Sequence, residues 1–215
     1  MKQNLNKKIY IVDCDYLYGT SVIPNYKAMK LYSYYDQLGH RVMLIRHEYE
    51  LTNTHDMLFL IRELRHTPFP PGDLLDDRRT ILIGKEFEIF DDVQTISDEV
   101  AVCRPDYSIY QYEKPNRLTH YSFVQFYNNN KKLRNVQDWH KANSKGTVVV
   151  DENFWDFPDA AVLECLEKLR SEHSIVFLSP IKLKKLLNEE ILNALLKLKL
   201  AKAIKIVYNL SLIHI

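Results

Sequence analysis

Cysteine is scarce in this chain: Cys14, Cys103 and Cys165 are the only three thiols in 215 residues. An odd number at long, unrelated spacings makes no disulfide framework and no CxxC metal pair. It fits buried thiols in a reducing compartment. Long apolar runs are also missing, and none approaches the ~20 residues of a membrane span. The start, MKQNLNKK, is polar, lacks the pattern of a signal peptide and leads straight into a strand, so a cytoplasmic protein without a membrane partner is expected. Neither sign of charge dominates. A net charge of +1 argues against a dedicated nucleic-acid binder, which usually carries a basic excess. The histidines are dispersed, with no HxH or HExxH spacing for zinc. Glycine is scarce as well. Gly84 ends the run TILI as a phosphate loop would, but Lys85 and Glu86 follow it instead of further glycines.

What the chain does have is apolar content, 46% of residues, and an alternation of strand and helix patterns. The length suits one large domain or two small ones. Lys8–Asp13 is a continuous apolar run with β-branched residues, the mark of a buried parallel strand. Pro24–Leu38 follows as a helix with Ala28, Leu31, Tyr35 and Leu38 on one face, and Gly39 stops it. Arg41–Arg46 is the next strand, which completes a βαβ unit. His55–Leu64 is expected to be helical although its middle is almost wholly apolar, and the prolines of TPFPPGD end it. Thr80–Gly84 reads as a strand, Ser97–Cys103 as a short helix and Arg104–Tyr112 as a further strand at the sheet edge. DDRR and FDDV read as loop charge. From Pro115 to Lys145 no period is visible, and a long connection is expected. Gly146–Asp151, Ser174–Ser179 and Ala203–Tyr208 are strands. They alternate with helices at Pro158–Arg170 and Asn188–Leu200, the second with Asn188 as its N-cap. The lysines from Lys182 to Lys205 alternate with leucines, so they describe a core helix with a solvated face. NNNKKLR and WHKANSK join basic and aromatic residues as single-strand binders do, but the plainer reading is a solvated loop.

The chemistry-bearing feature is KIYIVDCDYLYG, in which Asp13 and Asp15 stand at the end of the first strand with Gly19 four residues on. An apolar strand ending in DxD resembles the first motif of the haloacid-dehalogenase phosphatases. That resemblance implies Asp13 as nucleophile, Asp15 as acid/base and Mg²⁺ between them. Ser179 would then stand for the second motif and Lys182 or Lys184 for the third. The acidic pair that should follow is absent, since Asp76–Asp77 and Asp91–Asp92 precede Ser179. Tyr16 and Leu17 are also bulky where that family is small.

A second resemblance covers more of the chain, roughly residues 8–112 and 146–209. KIYIVDCDYLYG followed by PNYKAMKLYSYYDQLGHRVMLI is similar to the N-terminal cobalamin-binding-type domain of many radical S-adenosylmethionine proteins. Pro24, Asn25, Ala28, Met29, Leu31, Gly39, Val42 and Leu44 carry the match. ILIGKEFEIFDD and RPDYSIYQ resemble later strands of that sheet. VVVDENFWDFPDAAVLECLEKL resembles the strand and helix of the radical barrel with its D–N–F segment, here Asp151, Asn153 and Phe154. The resemblance implies cobalamin or S-adenosylmethionine as cofactor. Two departures qualify it. The DxHxxG loop whose His ligates cobalt has no His here. The three thiolates of CxxxCxxC are missing between residues 114 and 145, so the cysteines do not support an iron–sulfur cluster.

The expected architecture is therefore α/β. A Rossmann-like, doubly wound parallel sheet of cobalamin-binding type occupies residues 1–113. A linker spans 114–145, and a partial (β/α) barrel spans 146–209. Residues 210–215, LSLIHI, read like a translated sequencing adaptor, which implies a truncated reading frame; a terminal strand is the other reading. Ligands of open parallel sheets bind beyond the carboxyl ends of strands. The candidate ligand residues are Asp13, Asp15, Gly19, Thr20 and Gly84, with Asp151 and Asn153 at the analogous exit of the second unit. The expected function is that of a radical-protein relative without its cluster, binding a ligand or partner. The alternatives are the Mg²⁺-dependent phosphatase and a non-enzymatic interaction module.

Overall fold

The computed structural model describes residues 6–21, 23–52, 54–110, 121–126, 146–151, 153–169, 174–198 and 206–207. The chain divides into two compact units, residues 1–119 and 120–215. The first is built on five strands: β1 (Lys8–Asp13), β2 (Arg41–Leu44), β3 (Met57–Ile61), β4 (Thr80–Ile83) and β5 (Val93–Gln94). They form one wholly parallel sheet in the order β2-β1-β3-β4-β5. Helix α1 (Cys14–Leu17) leaves β1, and α2 (Tyr26–Gln37) carries the chain across to β2. The short helices α3 (Gly72–Leu75) and α4 (Asp98–Val102) flank the later strands.

Both sheet faces are covered. Tyr10, Val12, Leu58, Leu60 and Leu82 share one face with Phe87 and Cys14. On the other, Ile11 pairs with Phe59, and the Phe59 ring meets Tyr35 of α2 at 5.4 Å. Helix α2 starts where Asn25 Oδ1 accepts the N–H groups of Lys27 (2.9 Å) and Ala28 (3.2 Å). It ends at Gly39, whose φ of 80° only glycine adopts freely. Ala28 and Leu31 are buried and Tyr35 packs on the sheet, as expected, but the face departs from the expected one at two positions. Leu38 is exposed, whereas Lys30 is buried, with Nζ donating to the Ala101 carbonyl over the Tyr26 ring.

Three expectations for this unit are corrected. His55–Leu64 is not a helix. Met57–Ile61 is the strand beside β1, and its unbroken apolar run buries residues on both faces, where a surface helix needs a polar side. Arg104–Tyr110 contributes no strand. Tyr107–Tyr110 is a 3-10 turn after Pro105, which has no N–H to give a ladder, and the sheet edge is β5 in the FDDVQ stretch instead. Residues 111–112 of that expected strand lie outside the described residues. The DDRR charges are also more than loop decoration: Arg79 donates to Asp77 and to the His55 carbonyl (3.0 Å), tying together the starts of β3 and β4.

The second unit contains β6 (Tyr121–Val124), β7 (Gly146–Val149) and β8 (Ser174–Phe177), parallel and in the order β6-β7-β8. A separate parallel pair joins β9 (Ile181–Lys182) to β10 (Ile206–Val207). Strand β6 falls inside the stretch expected to be connection; of the rest of that stretch, 114–120 and 127–145 are outside the described residues, as is 208–215. Helices α5 (Asp159–Glu167), α6 (Leu183–Leu186) and α7 (Glu189–Leu196) complete the unit. The core joins Val124, Val149, Phe154, Trp155, Val162, Leu166 and Ile191. Lys185 is buried, bound to Phe157 O (2.6 Å) and Asp159, so the lysine stripe is not uniformly solvated. Among the described residues, no helix is long and apolar enough to cross a membrane.

Asn188 caps α7 through Oδ1 to the N–H groups of Glu190 and Ile191, and its Nδ2 donates to Asp159 Oδ2 (2.8 Å). Asn188→Ala removes the cap and this cross-link. It is expected to lower unfolding free energy by about 1–2 kcal/mol in urea denaturation.

Candidate functional site

In the order β2-β1-β3-β4-β5 the winding direction reverses between β1 and β3, so the two strand exits diverge there. Asp13 and Asp15 both sit at that point, and both are buried, with 1% and 3% of their surface exposed. Asp13 ends β1 and caps α1, accepting the Tyr16 N–H at Oδ1 (3.3 Å). Its Oδ2 accepts the Tyr110 hydroxyl (2.7 Å), and the Tyr110 oxygen in turn accepts the Asn25 N–H (3.1 Å). Burial raises the Asp13 carboxyl from its ordinary value to about 7; the Tyr110 hydrogen bond opposes the rise and the Asp15 charge adds to it. Burial, followed by the Asp13 charge, holds the Tyr110 hydroxyl well above the usual phenol range.

Asp15 works in the other direction, across to β3. Its Oδ2 accepts the Glu63 N–H (2.9 Å), and its Oδ1 accepts the Leu64 N–H (3.3 Å) and the Thr67 hydroxyl. Its carbonyl accepts the N–H groups of Thr20 (2.9 Å) and Ser21 (2.8 Å), which fold the β1 exit back on itself. Gly19, with φ of 69°, makes that turn, and Thr20 Oγ1 lies 2.6 Å from Thr67 Oγ1.

Arg62, also buried, ties together the chain at the β3 exit. Its guanidinium donates to the carbonyls of Thr67 (2.7 and 2.9 Å), Arg65 (3.0 Å) and Glu86 (2.6 Å), and it rests 3.8 Å from the Phe69 ring centre. The place beside Gly84 is filled by the same residue. A Cβ on Gly84 would stand 2.2 Å from the Arg62 carbonyl oxygen, and its φ is 117°. Glycine is thus needed at this position for the approach of the chain's own backbone.

The structure therefore brings Asp13, Asp15, Gly19 and Thr20 together at one strand exit, and sets Gly84 against the Arg62 backbone two strands away. Asp151 and Asn153 belong to the second unit. Asp151 is buried, and its Oδ2 accepts the Phe126 N–H (2.8 Å). Asn153 is exposed and precedes the 3-10 turn Phe154–Asp156 without a side-chain capping bond. Of the residues matched to phosphatase motifs, Ser179 is buried with its carbonyl accepting Trp155 Nε1 (3.0 Å), and Lys182 pairs with Asp156. Among the described residues, no three His, Cys, Asp or Glu side chains are grouped to hold a metal ion. No protein-family model, curated protein or solved structure matches the chain.

Three residues essential to this geometry escape sequence reasoning. Thr67 reads only as part of a proline-rich helix breaker, Arg62 as part of a helix, and Tyr110 as part of an edge strand. The local pattern holds no sign of Tyr110, whose partner is 97 residues away.

Two outcomes follow from the geometry. The folded chain holds a proton on Asp13 that the unfolded chain releases above its ordinary pKa of 3.8. That contribution to stability is complete below pH ~4 and is lost as pH rises through about 7. Thermal unfolding at pH 5 and pH 8 should therefore show a larger fall for the wild type than for Asp13→Asn, which is neutral at both. Gly84→Ala should cost about 2–4 kcal/mol in urea unfolding, because the new methyl must displace the β3 exit.

Proposed function

We propose that this chain acts by binding and not by chemistry at its aspartate pair, as a relative of the radical S-adenosylmethionine proteins that lacks their cluster. The single observation that carries the reading is the exit of β1. The acids predicted as ligand residues gather where the parallel order reverses, the place at which sheets of this order take cofactors. The order itself is the flavodoxin-like one, and it agrees with a Rossmann-like sheet of cobalamin-binding type in the first unit. In the second, three consecutive strands lie side by side and parallel, as in the opening of a (β/α) barrel.

The state of the two carboxylates favours binding over phosphoryl transfer. A nucleophilic carboxylate needs an oxygen free to meet phosphorus, and a shared Mg²⁺ needs free oxygens from both acids. Here both acids are buried, each of their four oxygens already accepts a hydrogen bond from the chain, and burial keeps Asp13 protonated up to about pH 7, so neither is presented to a phosphate as a free carboxylate pair. The family resemblance suggests cobalamin or S-adenosylmethionine as the ligand. With no His in the loop Cys14–Gly19, a corrin here would be held by contacts other than a cobalt–imidazole bond from that loop. Cys14 and Cys165 are buried, and burial pushes the Cys14 thiol up, away from the thiolate a cluster requires. The setting is a cytoplasmic one.

The test is a pair of titrations on the purified chain, with hydroxocobalamin followed by visible absorbance and with S-adenosylmethionine followed by calorimetry. Saturable binding of either is expected, with a gain of about 2.7 kcal/mol in stability at a hundredfold excess over Kd. Absence of binding to both would remove the cofactor reading. Cleavage of S-adenosylmethionine after anaerobic iron–sulfur reconstitution would overturn the cluster-free reading. Mg²⁺-dependent hydrolysis of an aryl phosphate, lost in Asp13→Asn, would establish the phosphatase in its place.

A further inference from the structure

The donors that meet Asp15 come from a separate part of the chain. Glu63 N–H, Leu64 N–H and the Thr67 hydroxyl all lie on the loop that leaves β3, 48 to 52 residues from Asp15 in sequence. That loop has its own supports. Arg62 gathers its carbonyls at Thr67 and Arg65. The Arg62 main chain is fixed by β4, with its N–H on Ile83 O (3.0 Å) and its carbonyl against Gly84. Thr20 Oγ1 donates to the Asp15 carbonyl (2.9 Å) and lies 2.6 Å from Thr67 Oγ1. The buried Arg62 cation, held on carbonyls of the same loop, favours an anion nearby.

Two N–H groups and one hydroxyl thus converge on the two oxygens of a carboxylate whose residue is 3% exposed. We propose that the loop leaving β3 is a preformed carboxylate-binding cradle, which the chain fills from within through Asp15 and which accepts a free monocarboxylate once that side chain is removed. The tethered Asp15 occupies it at a high effective concentration, so free carboxylates in solution do not compete in the wild type. The class of anion follows from the fit. The donors are few and close-set, matching two coplanar oxygens; a tetrahedral phosphate would leave further oxygens buried without partners.

The probes are chosen by size. Asp15→Ala keeps Cβ and leaves the space of a formate ion, while Asp15→Gly leaves the space of acetate. Thermal unfolding of each variant is compared in sodium formate, acetate, chloride and phosphate at matched ionic strength. Both variants should melt below the wild type. Formate should raise the Ala variant saturably, by about 4 °C or more beyond chloride. Acetate should outperform formate on the Gly variant, and none of the salts should distinguish itself on the wild type. If a variant is unfolded at 25 °C, the same comparison is read as recovery of its far-ultraviolet circular dichroism. Equal effects of formate and chloride on both variants would overturn the cradle, and phosphate acting as well as formate would overturn the assignment to carboxylates. Because the probes are simple salts, the result is independent of whether cobalamin or S-adenosylmethionine binds.

Discussion

Two carboxylates are taken out of water at the end of the central strand, and the first unit is arranged to answer that. Removing a charged or polar group from solvent costs several kcal/mol unless its hydrogen bonds are replaced. Asp13 is answered by Tyr16, Tyr110 and, through Tyr110, the start of α2. Asp15 is answered by the loop after β3. The two acids therefore divide the work: one anchors the elements that follow β1 and the 3-10 turn near the end of the unit, and the other anchors β3. Arg62 is the cationic counterpart, dissolved in carbonyls and stacked on Phe69.

The same arrangement occurs in the second unit. Asp15 lies two residues past the end of β1 and accepts from Glu63, two residues past the end of β3. Asp151 lies two residues past the end of β7 and accepts from Phe126, two residues past the end of β6. In each case a carboxylate beyond one strand holds the main chain beyond its parallel neighbour, at 2.9 and 2.8 Å. Parallel ladders end with N–H groups that have no further strand to pair with, and an acid at this offset satisfies them.

Much of this was legible in the sequence and some was not, for identifiable reasons. β1, β2 and β4 announce themselves as short apolar runs, α2 by Pro24, its apolar spacing and Gly39, and α7 by its asparagine cap. β3 does not, because MLFLI is buried on both faces and has no period to separate strand from helix. Without β3 the reversal of strand order is invisible, and with it the reason why the aspartates share a site. Asp13, Asp15, Gly19 and Thr20 are close in sequence and are readable as a group. Tyr110, Thr67 and Arg62 meet them only through the fold, since pattern reports neighbours along a chain and not across a sheet. Gly84 shows the intermediate case: its position at a strand exit is plain, but the backbone approach that requires it is a tertiary fact.

The bond from Tyr110 to Asp13 spans 97 residues, nearly the whole first unit. Contacts this distant carry the largest loop-closure entropy and form after local ones. During synthesis Asp13 leaves the ribosome 97 residues before the tyrosine that meets its Oδ2. The exit of this strand is thus made well before the contact that completes it.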